Sequence, residues 1–243
     1  MATNGAQHRS FLRIWDLLII VIVSLGTTTI LGMVASRLAD KAGEGALPLP
    51  GLILIFLGLQ NLCFLGTVYL VAVRWRGLTW SDLGLRPTDR FWFVRAVYLG
   101  LVAYLLIALT YALVGQLLGE LPVNPQINLL APAGITFWGG VAMALMVCLV
   151  APFVEEVLFR GILYAWLRRR WGVAVSSVVS GVCFSLLHGI VWLIPAIALL
   201  GVLLAVIYEK SKSIWPCIVT HATFNTVTVI LIYTLMSRGM TPH

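Results

Sequence analysis

Six side chains in the second half of the chain could carry chemistry that their apolar surroundings do not require. Glu155, Glu156 and Arg160 sit in the run from Pro152 to Arg160, His188 follows Phe184 by four residues, and His221 precedes Asn225 by four. Glu156 and Arg160 are i,i+4 with the acid N-terminal, the favourable order for an ion pair on one helix face. Glu155 points about 100° away from that face and is left without this partner. His221 and Asn225 share a face, so both can line one cavity. A carboxylate, two imidazoles and an amide are the parts needed to hydrolyse a peptide bond: Glu155 as the base that takes a proton from water, His188 as its orienting partner, His221 and Asn225 as donors to the developing oxyanion. Glu155, His188 and His221 are also ligand types for zinc. There is no H-E-x-x-H and the three would come from three helices, so no metal is required by this reading and zinc stays an open alternative.

The elements that must position these groups are membrane helices. Of 243 residues 60% are hydrophobic and 10% charged, whereas a soluble domain carries about 25% charged residues. Uncharged windows near the roughly 20 residues of a helical span recur throughout, which excludes a soluble domain and a lipid-facing β-barrel. The spacing predicts an all-α polytopic protein with seven spans, at about 17–36, 52–73, 96–118, 134–162, 173–189, 191–208 and 214–236. Residues 1–133 form the N-terminal helices 1–3 with their loops and 134–236 the catalytic core, with no soluble domain. Ser177, Gly181 and Ser185 give the fifth span a small-residue face for close helix approach.

The formal charge of +7 follows from 16 Lys and Arg against 9 Asp and Glu. With the N-terminus inside, thirteen basic residues fall on cytoplasmic segments: Arg9, Arg13, Arg74, Arg76, Arg86, Arg90, Arg95, Arg160, Arg168 to Arg170, Lys210 and Lys212. Only Arg37, Lys41 and Arg238 fall outside. This positive-inside bias places the C-terminus outside and leaves no role for nucleic acid. The first span is too long for a signal-peptide core and is expected to stay. Arg74 to Arg95 reads as a cytoplasmic loop. Cys63, Cys148, Cys183 and Cys217 lie in apolar segments and suggest neither a disulfide framework nor a zinc cluster.

E-E-x-x-x-R (Glu155, Glu156, Arg160), F-x-x-x-H (Phe184, His188) and H-x-x-x-N (His221, Asn225), in this order in a polytopic chain, resemble the three motifs of the CAAX-protease and bacteriocin-processing family, the Abi-type or type II CAAX prenyl endopeptidase-like intramembrane proteases. The resemblance spans about 134–234. It implies an intramembrane endopeptidase with Glu155 as base, His188 as its partner, and His221 with Asn225 as oxyanion donors, acting on a membrane-associated peptide or protein. Members are often labelled metalloproteases, although the structural view of the family favours a metal-independent site. The residues alone leave a second class open, a non-catalytic transporter or scaffold using the same polar cluster. A transporter would be expected to show repeated halves, which are not seen.

Depth gives one further expectation. If spans four and five form a hairpin turning at Arg168 to Gly172, Glu155 and His188 lie at matching height. His188 is then roughly 25 Å from the turn while His221 is only about 10 Å from the loop before its own span. The two meet only if the arginine turn projects into the cytoplasm, where three consecutive arginines belong.

Overall fold

A computed structural model describes residues 11–40, 49–119, 124–130 and 135–238. Eight helices occupy them: α1 (Ile14–Asp40), α2 (Leu49–Val68, continued by a π-helical stretch Tyr69–Trp75), α3 (Phe91–Leu118), the short α4 (Pro125–Leu130), α5 (Phe137–Arg168), α6 (Val173–Leu186), α7 (Ile194–Ser211) and α8 (Trp215–Ser237). No strand occurs among the described residues. The fold is all-α and polytopic, as the composition requires. His8, Arg9, Lys41, Pro48, Pro122, Pro132 and His243 lie outside the described residues.

Six helices are long and apolar enough to cross a bilayer; α6, with 14 residues, is shorter. At 1.5 Å per residue α6 extends about 21 Å, short of a hydrocarbon core of about 30 Å. The expected fifth span to position 189 therefore ends early, at Leu186. Gly189 takes a left-handed φ of 69° beyond it, and a single 3₁₀ turn, Val191–Leu193, leads into α7. The fourth span runs on past the expected position 162 to Arg168, and α4 was not foreseen.

Apolar residues such as Leu105, Leu109 and Leu117 of α3 are exposed because lipid, not protein, covers them. Helix association then depends on close packing rather than on burial from water. The small-residue face of α6 meets this need. Ser177, Gly181 and Ser185 are buried, and a Cβ on Gly181 would lie 2.8 Å from the Ala198 carbonyl of α7. Gly201 of α7 makes the reciprocal approach, since a Cβ on it would lie 2.6 Å from the Gly181 Cα. The α3 and α8 backbones meet in the same way at Gly100, where Thr220 also donates its hydroxyl to the Ala96 carbonyl at 3.1 Å.

The segment between α2 and α3 is more than a loop. Leu78 and Leu83 are buried, Gly84 accepts the Ile214 N–H at 2.9 Å, and Ser213 donates its hydroxyl to the Arg86 carbonyl at 2.7 Å. It forms a floor across the ends of α5 and α8. Asp16 of α1, fully buried, anchors one side of this end by a bidentate pair with Arg76, both contacts at 2.8 Å. Position 161 of α5 is level with the start of α8, since a Cβ there would lie 3.2 Å from Ile214 Cδ1. Arg168 is thus roughly 10 Å beyond that level. The arginine turn projects past the α8 terminus, as the depth argument requires, and Arg168 is tied back by Glu209 at 3.3 Å.

Candidate active site

The site begins with two irregularities in α5. Met146–Val150 and Val157–Tyr164 are π-helical, flanking the single α-helical stretch Ala151–Glu156. In the first of these the Ala151 N–H bonds back five residues to the Met146 carbonyl. The next donor in that ladder would be residue 152, reaching the Val147 carbonyl, but Pro152 has no N–H. Asn225 Nδ2 of α8 donates to that orphaned carbonyl at 2.8 Å. A proline on one helix therefore creates the acceptor that fixes the amide of another. Pro152 is legible in the sequence; its consequence is not, because the five-residue step is invisible there.

Glu155 and Glu156 close the stretch that Pro152 opens, and both turn toward α8. Glu156 Oε1 accepts Arg160 Nη1 at 2.9 Å, the expected i,i+4 pair, with both side chains fully buried. The second Arg160 contact, Nη2 to the Gly201 carbonyl at 2.9 Å, depends on the close approach of α6 and α7. Phe184 supplies a ring face 5.0 Å from the guanidinium carbon. Arg160 was counted among the cytoplasmic cations from the sequence; it is instead an intramembrane charge, and the asymmetry becomes twelve against three. That leaves the sign of the bias unchanged.

Glu156 Oε1 also lies 3.0 Å from His221 Nδ1. A carboxylate only accepts, so Nδ1 carries the proton and Nε2 is presented on the far side of the ring. There Nε2 lies 3.8 Å from Glu155 Oε2. The four groups form a line, Arg160, Glu156, His221, Glu155, running from a fully buried guanidinium to a carboxylate that is 29% exposed. The expected pairing of Glu155 with His188 is not the one found. His188 lies beyond the end of α6, and its Nδ1 folds back to the Phe184 carbonyl at 3.0 Å. Matching height along a hairpin carries no information on azimuth, and both carboxylates lie against His221 of α8. His188 still belongs to the cluster: the Phe184 ring is 5.0 Å from the His188 ring and 5.6 Å from that of His221.

Each predicted site residue thus falls in one region, with Glu155, Glu156, Arg160 and His221 in a chain and His188 reaching it through Phe184. Asn225 commits one amide proton to Val147 and retains the other. Among the described residues no three His, Cys, Asp or Glu side chains are grouped to hold a metal ion. Glu156 and the Phe184 carbonyl each engage an Nδ1, which leaves Nε2 as the free ring nitrogen of both His221 and His188, the face by which a histidine can also ligate a metal.

Residues 136–227 match the family model described as type II CAAX prenyl endopeptidase Rce1-like. This part of the chain is similar to the Rce1-like family. The Rce1-like segment holds all six candidate residues, and the motif resemblance is thereby supported from a comparison independent of the geometry. Among curated proteins the chain is 28% identical over 89 residues to the protein of Bacillus subtilis (strain 168) named "Putative membrane peptidase YdiL". That match takes in 37% of this chain and 36% of the relative, so the chain spans well under half the length of the relative it matches. No solved structure matches. With its series of apolar helices, the chain is an integral multi-pass membrane protein.

Proposed function

We propose that the protein is an intramembrane endopeptidase that hydrolyses a peptide bond of a membrane-associated protein or peptide with a water activated between Glu155 and His221. The observation that carries this reading is the Arg160, Glu156, His221, Glu155 line. Glu156 fixes the His221 ring with its proton on Nδ1, which leaves Nε2 and the Glu155 carboxylate facing one point from two sides. Their 3.8 Å separation lets one oxygen sit beside both at hydrogen-bond distance.

Glu155 takes a proton from that water as its oxygen attacks the scissile carbonyl carbon. The resulting oxyanion accepts a hydrogen bond from the free amide proton of Asn225. Collapse breaks the C–N bond, the leaving amine takes the proton from Glu155, and the products are a carboxylate and an amine. In this reading His221, rather than His188, is the immediate partner of the base, supported by the 3.8 Å Glu155–His221 distance. The N-terminus and the arginine turn are assigned to the cytoplasm, the C-terminus to the outside, and the site to the cytoplasmic half of the bilayer.

Detergent-purified protein incubated with a library of membrane-proximal peptides tests the assignment. Cleavage at defined bonds is expected. Transport or partner binding by reconstituted protein, with no cleavage of any peptide, would overturn it.

A further inference from the structure

Away from the catalytic cluster, α3 and α7 enclose a groove of about 260 Å³ at the end of the bundle that carries the floor segment. Trp92, Arg95 and Leu99 of α3 line one wall, and Leu203, Ile207 and Lys210 of α7 line the other. The helices run antiparallel, so the groove is graded. Arg95 and Lys210 sit at the terminal end, one in the first turns of α3 and the other in the last turn of α7, while Leu99 and Leu203 lie deeper.

Both cations are exposed, and neither forms an ion pair among the described residues. Glu209, the carboxylate adjacent to Lys210, is taken by Tyr164, Arg168 and Lys212. Arg95 has only the Trp92 ring, 5.5 Å from its guanidinium carbon. Two exposed cations without an ion pair beside an apolar groove are complementary to an anion, and an indole next to them is the residue type enriched at the headgroup level of a bilayer. The groove opens on the lipid-facing side of the bundle, where the available amphiphile with an anionic head and an apolar tail is a phospholipid.

We propose that this groove binds one anionic phospholipid, its phosphate held between Arg95 and Lys210 and an acyl chain lying along Leu99 and Leu203. The site is separate from the hydrolytic cluster, and its occupancy does not depend on whether that cluster cleaves peptides. The full chain purified in detergent, titrated with phosphatidylglycerol and counted by native mass spectrometry, tests it. One phosphatidylglycerol per chain is expected to bind ahead of all others and ahead of phosphatidylcholine. Arg95→Gln with Lys210→Gln should weaken that first binding about thirtyfold, from about fivefold per cation near a membrane surface. The charge-preserving pair Arg95→Lys with Lys210→Arg should stay within a few fold of wild type. Arg74→Gln with Arg90→Gln removes the same net charge elsewhere and should leave binding unchanged. Equal binding of phosphatidylcholine, an equal loss in the Arg74 and Arg90 control, or displacement of the lipid by millimolar inorganic phosphate would each overturn the proposal.

Discussion

His221 Nδ1 lies 3.0 Å from Glu156 Oε1, and the same oxygen receives Arg160 Nη1 at 2.9 Å. Glu156 is thereby both the counter-charge of a buried arginine and the group that sets the proton position on a histidine. The two duties have separable consequences.

Glu156→Gln strands the Arg160 guanidinium and should cost about 3–5 kcal/mol of stability, the range for breaking a buried pair from one side. Glu156→Gln with Arg160→Gln should recover part of that loss in thermal unfolding, because neither charge is then left alone. Activity should not return with it, since Gln offers His221 either an amide oxygen or an N–H in place of a carboxylate. Full recovery of hydrolysis in the double variant would confine Glu156 to the ion pair.

Pro152 and Asn225 should be energetically coupled although their chemistry is unrelated. Asn225→Ala leaves the partly buried Val147 carbonyl without a donor, at about 1 kcal/mol, the lower end of the range for an unsatisfied buried group. Pro152→Ala restores an N–H that can reach it. Asn225→Ala should therefore cost less stability in the Pro152→Ala background, and strict additivity in a double-mutant cycle would contradict the link.

Topology is tested by labelling a cysteine placed at Arg169, which is exposed in the turn between α5 and α6. In intact cells Arg169→Cys should react only with a membrane-permeant reagent. Reaction with an impermeant reagent added outside would invert the orientation and move the site to the other half of the bilayer.

Metal dependence has an equally direct check. Extensively chelated protein should keep its hydrolytic activity, and elemental analysis should find less than one zinc per chain. Loss of activity on chelation that zinc restores would mean that Glu155, His188 and His221 rearrange into a ligand set.

The sequence carried most of the fold and only part of the site. Apolar runs mark spans because lipid demands them, and the Glu156–Arg160 pair follows from a four-residue step along one helix. The small-residue face of α6 was likewise visible, and it does bring α6 onto α7. What could not be read was rotation. Two π-helical stretches in α5 carry no residue signature of their own, and four-residue spacing does not tell that Glu155 lies by His221 rather than His188. The early stop of α6 at Leu186 was also hidden, because the apolar run continues through Leu187 and resumes at Ile190. Asp16 and Arg76, paired across α1 and the end of α2, are distant in sequence and neither stands in a recognisable motif.

Among the described residues Glu155 accepts no short hydrogen bond, and it is partly exposed, so replacing it should leave the fold intact while removing the base. The most direct test compares peptide hydrolysis by wild-type and Glu155→Gln proteins of matched thermal stability, reconstituted in the same liposomes. The account predicts that turnover falls by about 10²- to 10⁴-fold, the usual worth of a general base, with no change in unfolding temperature. Near-normal turnover by folded Glu155→Gln protein would contradict it.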